Sequence, residues 1–165
     1  MNQASHYVDL IDWLFGSVST VSANIATLGR VIEAEDTATI NFKWRDGLLG
    51  SMAVTMLTYP SNLEGSITIL GEKGTVKIGG KSLNKIEEWK FEDTHEDDNS
   101  YNDANFESLN VYGHGHYGYY SNLINNFLFG DHPLCDGEEG IKSLEIIIAA
   151  YKSSKENKII KIPIK

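Results

Sequence analysis

The strongest constraint on the fold is an alternating segment at residues 35–45 that ends in a tight-turn signal. Every second residue is apolar, which places these side chains on one face of a strand and the polar ones on the other; the apolar set is Ala38, Ile40, Phe42 and Trp44, and the polar set is Thr37, Thr39, Asn41 and Lys43. Asp46-Gly47 follows, and this dipeptide is a strong signal for a β-hairpin turn. The pattern predicts antiparallel pairing with one buried face.

Further strand signals extend this sheet on both sides. Strands are predicted at residues 18–27, 48–57, 66–70, 75–78, 83–91 and 158–164, with a second hairpin turn at 71–74. In the 48–57 strand, Met52, Val54 and Met56 are predicted to point inward. Residues 92–105 are acidic and polar, and we interpret them as a mobile, solvated insertion.

Helical periodicity marks the beginning and the last third of the chain. A first helix runs to Gly16, with a core face predicted at Tyr7, Leu10, Ile11 and Leu14. A second is predicted at residues 116–129, and a third from its cap Asp136 to about Lys155. The predicted fold class is therefore α+β, an open, mostly antiparallel β-sheet with helices packed on one face.

Composition limits the classes of partner and the cellular compartment expected for this protein. The 165 residues fit one domain, 1–165, and the net charge of −9 argues against nucleic acid. The longest apolar run, at residues 146–151, is far shorter than the roughly 20 residues of a membrane span. The single cysteine, Cys135, suits a reducing compartment. We expect a cytoplasmic protein without a nucleic-acid or membrane partner.

His6 is the first candidate for chemistry. Asn2 lies four residues before it and Asp9 three after it, so the three share a helix face, which continues to Trp13. A carboxylate one turn away can fix the tautomer of a histidine. The competing interpretation is a structural or surface histidine. Because the residues before Tyr7 lack a core anchor, we expect His6 to be exposed and the ordered helix to begin at about Tyr7.

Gly113-His114-Gly115-His116 is the second candidate. Two histidines at i, i+2 without a third ligand do not predict a metal site. At a helix N-terminus, however, the backbone of Gly115 and His116 could approach an anionic ligand, although a plain glycine-rich loop explains the pattern equally well. The chain has no G-x-G-x-x-G fingerprint, so it is not expected to hold a dinucleotide.

Four segments follow one another in a recognisable order: residues 2–10 with an H-x-x-D core at His6 and Asp9, 46–51, 69–76, and 133–140 together with 143–145. In this order they resemble the C-terminal domain of the glucose–fructose oxidoreductase / inositol dehydrogenase / MocA (Gfo/Idh/MocA) family. Asn2-Gln3, together with the Gly-His pair before the later helix, is most similar to nucleotide-sugar 3-dehydrogenases that act on UDP-N-acetyl-glucosaminuronic acid and its relatives.

The resemblance implies an NAD(P)-dependent dehydrogenase that moves hydride between a secondary alcohol of a sugar or nucleotide sugar and nicotinamide. NAD or NADP, together with a catalytic lysine, would belong to an N-terminal Rossmann domain absent from this chain, which itself would bind no cofactor and no metal. Many members carry Asp where this chain has Asn2. The implied site residues are the base His6, its orienting partner Asp9, and the substrate-binding Asn2, Gln3, Gly115 and His116.

The chain is expected to be the second half of a larger protein, because nothing but Met1 precedes its first helix. Alone it is expected to be inactive. The resemblance also implies a homo-oligomer formed through the exposed sheet face. The alternative function is a non-catalytic binding or assembly module with the same fold.

Overall fold

The computed structural model describes residues 4–80, 83–107 and 115–164. The chain divides into two compact units, of which the first comprises residues 1–58 and 135–165 and the second residues 59–134. Mostly antiparallel sheets of four and three strands combine with three α-helices in the described residues, which confirms the predicted fold class. None of these helices combines the length and the apolar character needed to cross a membrane.

The first unit is built on the predicted central hairpin. Its strands are β1 (Val18–Ala26), β2 (Thr37–Trp44), β3 (Leu49–Thr55) and β7 (Ile160–Lys161), in the antiparallel order β3-β2-β1-β7. The apolar face of β2 is buried as predicted. Met52 and Val54 are half-buried, but Met56 is exposed because β3 ends before it. The predicted closing strand shortens to two residues.

Two helices, α1 (Ala4–Phe15) and α3 (Gly137–Glu156), cover one face of this sheet, with α3 on β1 and α1 on α3. The Asp136 carboxylate accepts the backbone N–H groups of Glu138 and Glu139 at 2.9 Å, as expected of an N-cap. The buried stripe of α3 is at i, i+3, i+4 and i+7, namely Ile146, Ala149, Ala150 and Ser153.

Serines of α3 also close the edge of β1 beyond the short β7. The N–H of Ala23 donates to Ser153 Oγ at 3.0 Å, and that hydroxyl donates to the carbonyl of Lys158 at 2.7 Å. The N–H of Ile25 donates to Ser154 Oγ at 3.0 Å. Side chains therefore satisfy backbone donors that a neighbouring strand would otherwise have taken.

The second unit contains β4 (Ile67–Leu70), β5 (Gly74–Gly79), β6 (Lys85–Phe91) and α2 (Gly115–Phe129). The strands pair antiparallel in chain order, so the second predicted hairpin is confirmed. The helix predicted at 116–129 is also present, but its apolar residues form no buried face. Exposed along it are Tyr120, Ile124, Phe127 and Leu128.

The acidic insertion is exposed along most of its described residues, as predicted, but it also folds back onto β6. It forms two 3-10 turns, Glu96–Asn99 and Tyr101–Ala104. Trp89 donates from Nε1 to Asp98 at 2.7 Å and stacks on Tyr101 with ring centroids 6.0 Å apart. Composition alone predicted a solvated loop, because it does not show that the chain turns back and brings Asp98 to Trp89, nine residues before it.

A buried carboxylate organises the loop between β1 and β2. The side chain of Asp36 is 3% exposed and accepts the backbone N–H groups of Leu28, Gly29 and Arg30 at 2.8–3.0 Å. Burial alone would raise the pKa of this carboxyl, but these N–H groups and the hydroxyl of Thr37 lower its pKa to about 2. Asp36 is therefore ionised in the folded protein at neutral pH.

Asp36→Asn tests this loop through the pH dependence of stability. Because the folded-state pKa lies below the roughly 3.9 of an unfolded aspartate, ionised Asp36 stabilises the fold above about pH 4, and this contribution disappears as pH falls towards about 2. The variant should unfold at lower temperature near pH 7, and its melting temperature should change less between pH 4 and pH 2. Thermal unfolding followed by circular dichroism checks this, with the exposed Asp93→Asn as control; equal pH slopes for Asp36→Asn and wild type would contradict it.

Candidate functional site

The helix that carries His6 is fixed at its C-terminal end by aromatic packing. Gly16 ends α1 with a φ of +74°, a conformation that favours glycine. Trp44 of β2 donates from its indole nitrogen to the carbonyl of Gly16 at 2.9 Å. The ring of Phe15 meets Trp44 edge-on, with centroids 5.7 Å apart. The end of α1 is therefore tied to the central strand of the sheet.

The buried stripe of α1 is rotated from the predicted core face. Ala4, Val8 and Ile11 are buried, whereas Leu14 is exposed and Tyr7 and Leu10 are only partly covered. The expected start at about Tyr7 is wrong, because the buried methyl group of Ala4 anchors the first turn of the helix. Apolar spacing identified a helix correctly but could not identify which of two adjacent faces meets α3.

His6, Asp9 and Trp13 lie on the opposite side of α1. At 3.6 residues per turn, these positions are about half a turn from the stripe of Ala4, Val8 and Ile11. All three are exposed, and Trp13 is 78% exposed. The exposure expected for His6 is thus observed. This helix presents an imidazole, a carboxylate and an indole to whatever adjoins it.

Asp9 makes no hydrogen bond or ion pair with His6 among the described residues, although it lies one turn away. The acidic environment nearby centres on Asp12, whose pKa is raised above its usual value. Burial is the largest cause of this increase, and the Lys142 ammonium opposes it by lowering the pKa of Asp12. The carboxylates of Asp9 and Glu139 raise it further. Sequence spacing did not single out Asp12, because this environment arises from packing against α3.

The remaining predicted site residues are divided between the second unit and the undescribed positions. Gly115 and His116 form the first turn of α2 as predicted, in a different compact unit from His6. Asn2 and Gln3 lie outside the described residues. Within the described parts of the chain, no group of three His, Cys, Asp or Glu side chains is arranged to hold a metal ion.

The loop after α2 is fastened to the helix by amide side chains. Asn122 donates to the carbonyl of His132 at 3.4 Å and accepts the N–H of Leu134 at 2.9 Å, and Asn126 donates to the carbonyl of Asp131. This arrangement was not predicted from the sequence. Two asparagines one turn apart, followed by a loop with proline, were the signal available for it.

Comparison with known proteins decides the family. The model of the oxidoreductase family, C-terminal alpha/beta domain (Gfo/Idh/MocA), matches residues 1–164. The chain belongs to the Gfo/Idh/MocA oxidoreductase family. The resemblance identified from the sequence is thereby confirmed. A search of curated proteins finds no match.

Solved structures of this fold include two that are similar in sequence. The WlbA dehydrogenase from Bordetella pertussis, solved with NADH and UDP-GlcNAcA, is 55% identical over 100% of this chain, with a TM-score of 0.94. The WlbA dehydrogenase from Chromobacterium violaceum, also with NADH and UDP-GlcNAcA, is 53% identical over 100% of this chain, with a TM-score of 0.92. The chain covers 48% and 46% of those proteins, about half their length.

A more distant structure shares the fold alone. Levoglucosan dehydrogenase, solved with NADH and levoglucosan, is 17% identical, with a TM-score of 0.78. The match covers 97% of this chain and 49% of that protein.

Ile11→Ala and His6→Ala should separate the two sides of α1. Removing most of the buried Ile11 side chain leaves a cavity and should lower the free energy of unfolding by about 2–4 kcal/mol. His6→Ala removes an exposed side chain and should change it by less than about 0.5 kcal/mol. Urea unfolding of the two variants measures both values. A loss of 2 kcal/mol or more in His6→Ala would mean that the histidine is structural.

Proposed function

We propose that this chain is the substrate-binding and oligomerisation half of an NAD(P)-dependent nucleotide-sugar dehydrogenase. The reaction transfers hydride between a secondary alcohol of the sugar and nicotinamide. The main support for the proposal is the 55% sequence identity, over the whole chain, with a dehydrogenase solved with NADH and UDP-GlcNAcA. A UDP-linked acetamido uronic acid is accordingly the substrate class we assign.

The face of α1 opposite its core supports a role for His6 as the general base. Oxidation of a secondary alcohol leaves a hydroxyl proton that a base must accept, and histidine suits this near neutral pH. His6 is exposed on a helix whose other side is fixed by Ala4, Val8 and Ile11. The imidazole thus projects from a helix that is anchored on its other side, and it is not part of the hydrophobic core. Asp9, one turn on, can orient the ring once the site is closed.

The described residues do not supply a dinucleotide site. All paired strands are antiparallel in the ranges that the structure describes, whereas a Rossmann site needs a parallel crossover unit with a glycine-rich turn. We therefore assign NAD or NADP to an N-terminal Rossmann domain of the longer protein. The role of this chain is to hold the sugar and to accept its hydroxyl proton.

We assign self-association to the sheet face opposite α1 and α3. Thr39 pairs with Ala53, and Asn41 pairs with Ser51, and all four side chains are exposed on this face. Wide antiparallel sheets with one uncovered face often associate through it. The exposed thiol of Cys135 fits a reducing, cytoplasmic compartment.

Kinetics of the longer enzyme test the role of His6. His6→Ala should lower kcat by about 10²–10⁴-fold, the usual scale for losing a general base. Asn2→Ala should act mainly on KM, because an amide can bind a sugar hydroxyl but cannot accept its proton. Steady-state oxidation of UDP-GlcNAcA, followed by NADH absorbance, measures both.

Ile159→Ala, an exposed apolar position on the first unit, provides a control that should leave both constants unchanged. Small and equal effects of His6→Ala and Asn2→Ala would place the base elsewhere. A longer protein that folds and binds NADH but turns over no nucleotide sugar would favour the binding or assembly module.

A further inference from the structure

The loop between β1 and β2 is held rigidly although its tip is exposed. Asp36 fixes its first residues, as described above, and the hydroxyl of Thr27 donates to the carbonyl of Ala34 at 2.8 Å, which closes the loop. The Tyr151 hydroxyl of α3 donates to the carboxylate of Glu35 at 2.8 Å. A buried charge and two further hydrogen bonds thus define the conformation of residues 27–36.

The side chains at the tip are apolar and uncovered. Val31 is fully exposed, and Leu28 and Ile32 are 68% and 46% exposed. Met56, whose N–H donates to the carbonyl of Asp36, adds another exposed apolar side chain beside the loop. Several exposed apolar groups on a hydrogen-bonded loop are typical of an interaction surface, because pre-organisation lowers the entropy lost on binding.

The sequence of the tip indicates what covers it. Residues Arg30-Val31-Ile32-Glu33 place one cation and one anion on either side of two apolar residues. In a contact whose two-fold axis passes between Val31 and Ile32, Arg30 of one copy can meet Glu33 of the other, and Val31 can meet Ile32. This self-complementarity is what a two-fold interface requires, since each residue must match its partner in both directions.

We propose that the tip, residues 28–33, docks on the same tip of a second copy of this chain around a two-fold axis. Apolar contact between Val31 and Ile32 forms its centre, and Arg30 pairs with Glu33 at its rim. The loop leads into β2, whose exposed residues belong to the sheet face assigned to self-association. The inference rests on that proposed self-association and names the element that sets its symmetry.

Charge exchange within the tip tests the inference. Arg30→Glu and Glu33→Arg each place like charges opposite one another twice in a two-fold dimer, and each should raise the dimer dissociation constant by roughly tenfold or more. The double variant R30E/E33R restores opposite charges and should return the constant to within about threefold of wild type. Sedimentation equilibrium of the chain at several concentrations measures all four proteins.

Val31→Asp and Leu144→Asp form a matched pair for the apolar centre, because Leu144 is an exposed apolar residue on α3. Val31→Asp should give monomers at concentrations where wild type and Leu144→Asp are dimeric. Arg30 also donates to the carbonyl of Met56 in its own chain at 3.3 Å, so its substitution removes an internal hydrogen bond. Thermal unfolding therefore checks that each variant still folds.

The outcomes separate this inference from the proposals on which it rests. A wild-type oligomer that is unaffected by any tip variant would overturn the tip contact and leave the sheet face as the interface. Failure of the double variant to recover would also overturn the pairing of Arg30 with Glu33. A wild type that is monomeric at every concentration would overturn both proposals on self-association, while turnover by the longer enzyme would still decide the dehydrogenase function.

Discussion

The packing of α1 against α3 determines what this chain can present to a substrate. Ala4, Val8 and Ile11 are buried, and Trp44 ties the end of the helix to the sheet through the carbonyl of Gly16. These contacts leave no rotational freedom to α1, because turning it would expose the buried stripe. The opposite side, with His6 and Asp9, is therefore fixed in direction without taking part in the core. A reactive side chain on such an element keeps its position while substrate binds and product leaves.

The first unit separates its roles between surfaces. The helix-covered face of the sheet contains the core, the outward side of α1 carries the candidate base, and the other sheet face is mostly polar and exposed. The loop organised by Asp36 connects β1 and β2 of this sheet and has an exposed apolar tip. Self-association through the tip and the sheet would leave the His6 side of α1 exposed.

Local signals in the sequence predicted much of this fold. The alternation in β2, the Asp46-Gly47 turn and the Asp136 cap depend on neighbouring residues, and all three are confirmed. The errors concern features that depend on contacts between separate structural elements. The burial of Ala4 and the folding of the acidic insertion onto Trp89 arise from tertiary contacts that spacing does not encode. At the candidate site, the H-x-x-D spacing placed His6 and Asp9 on one exposed face, but it could not show that Asp12 is partly buried near Lys142 and Glu139 of α3.

Under the proposed function, the exposed side of α1 faces the reacting carbon of a nucleotide sugar. The decisive measurement is a crystal structure of the longer protein with NADH and UDP-GlcNAcA. In it we expect a ring nitrogen of His6 within hydrogen-bond distance, about 2.6–3.2 Å, of a secondary hydroxyl of the sugar. A sugar bound elsewhere, with His6 exposed to solvent in the fully assembled complex, would contradict it.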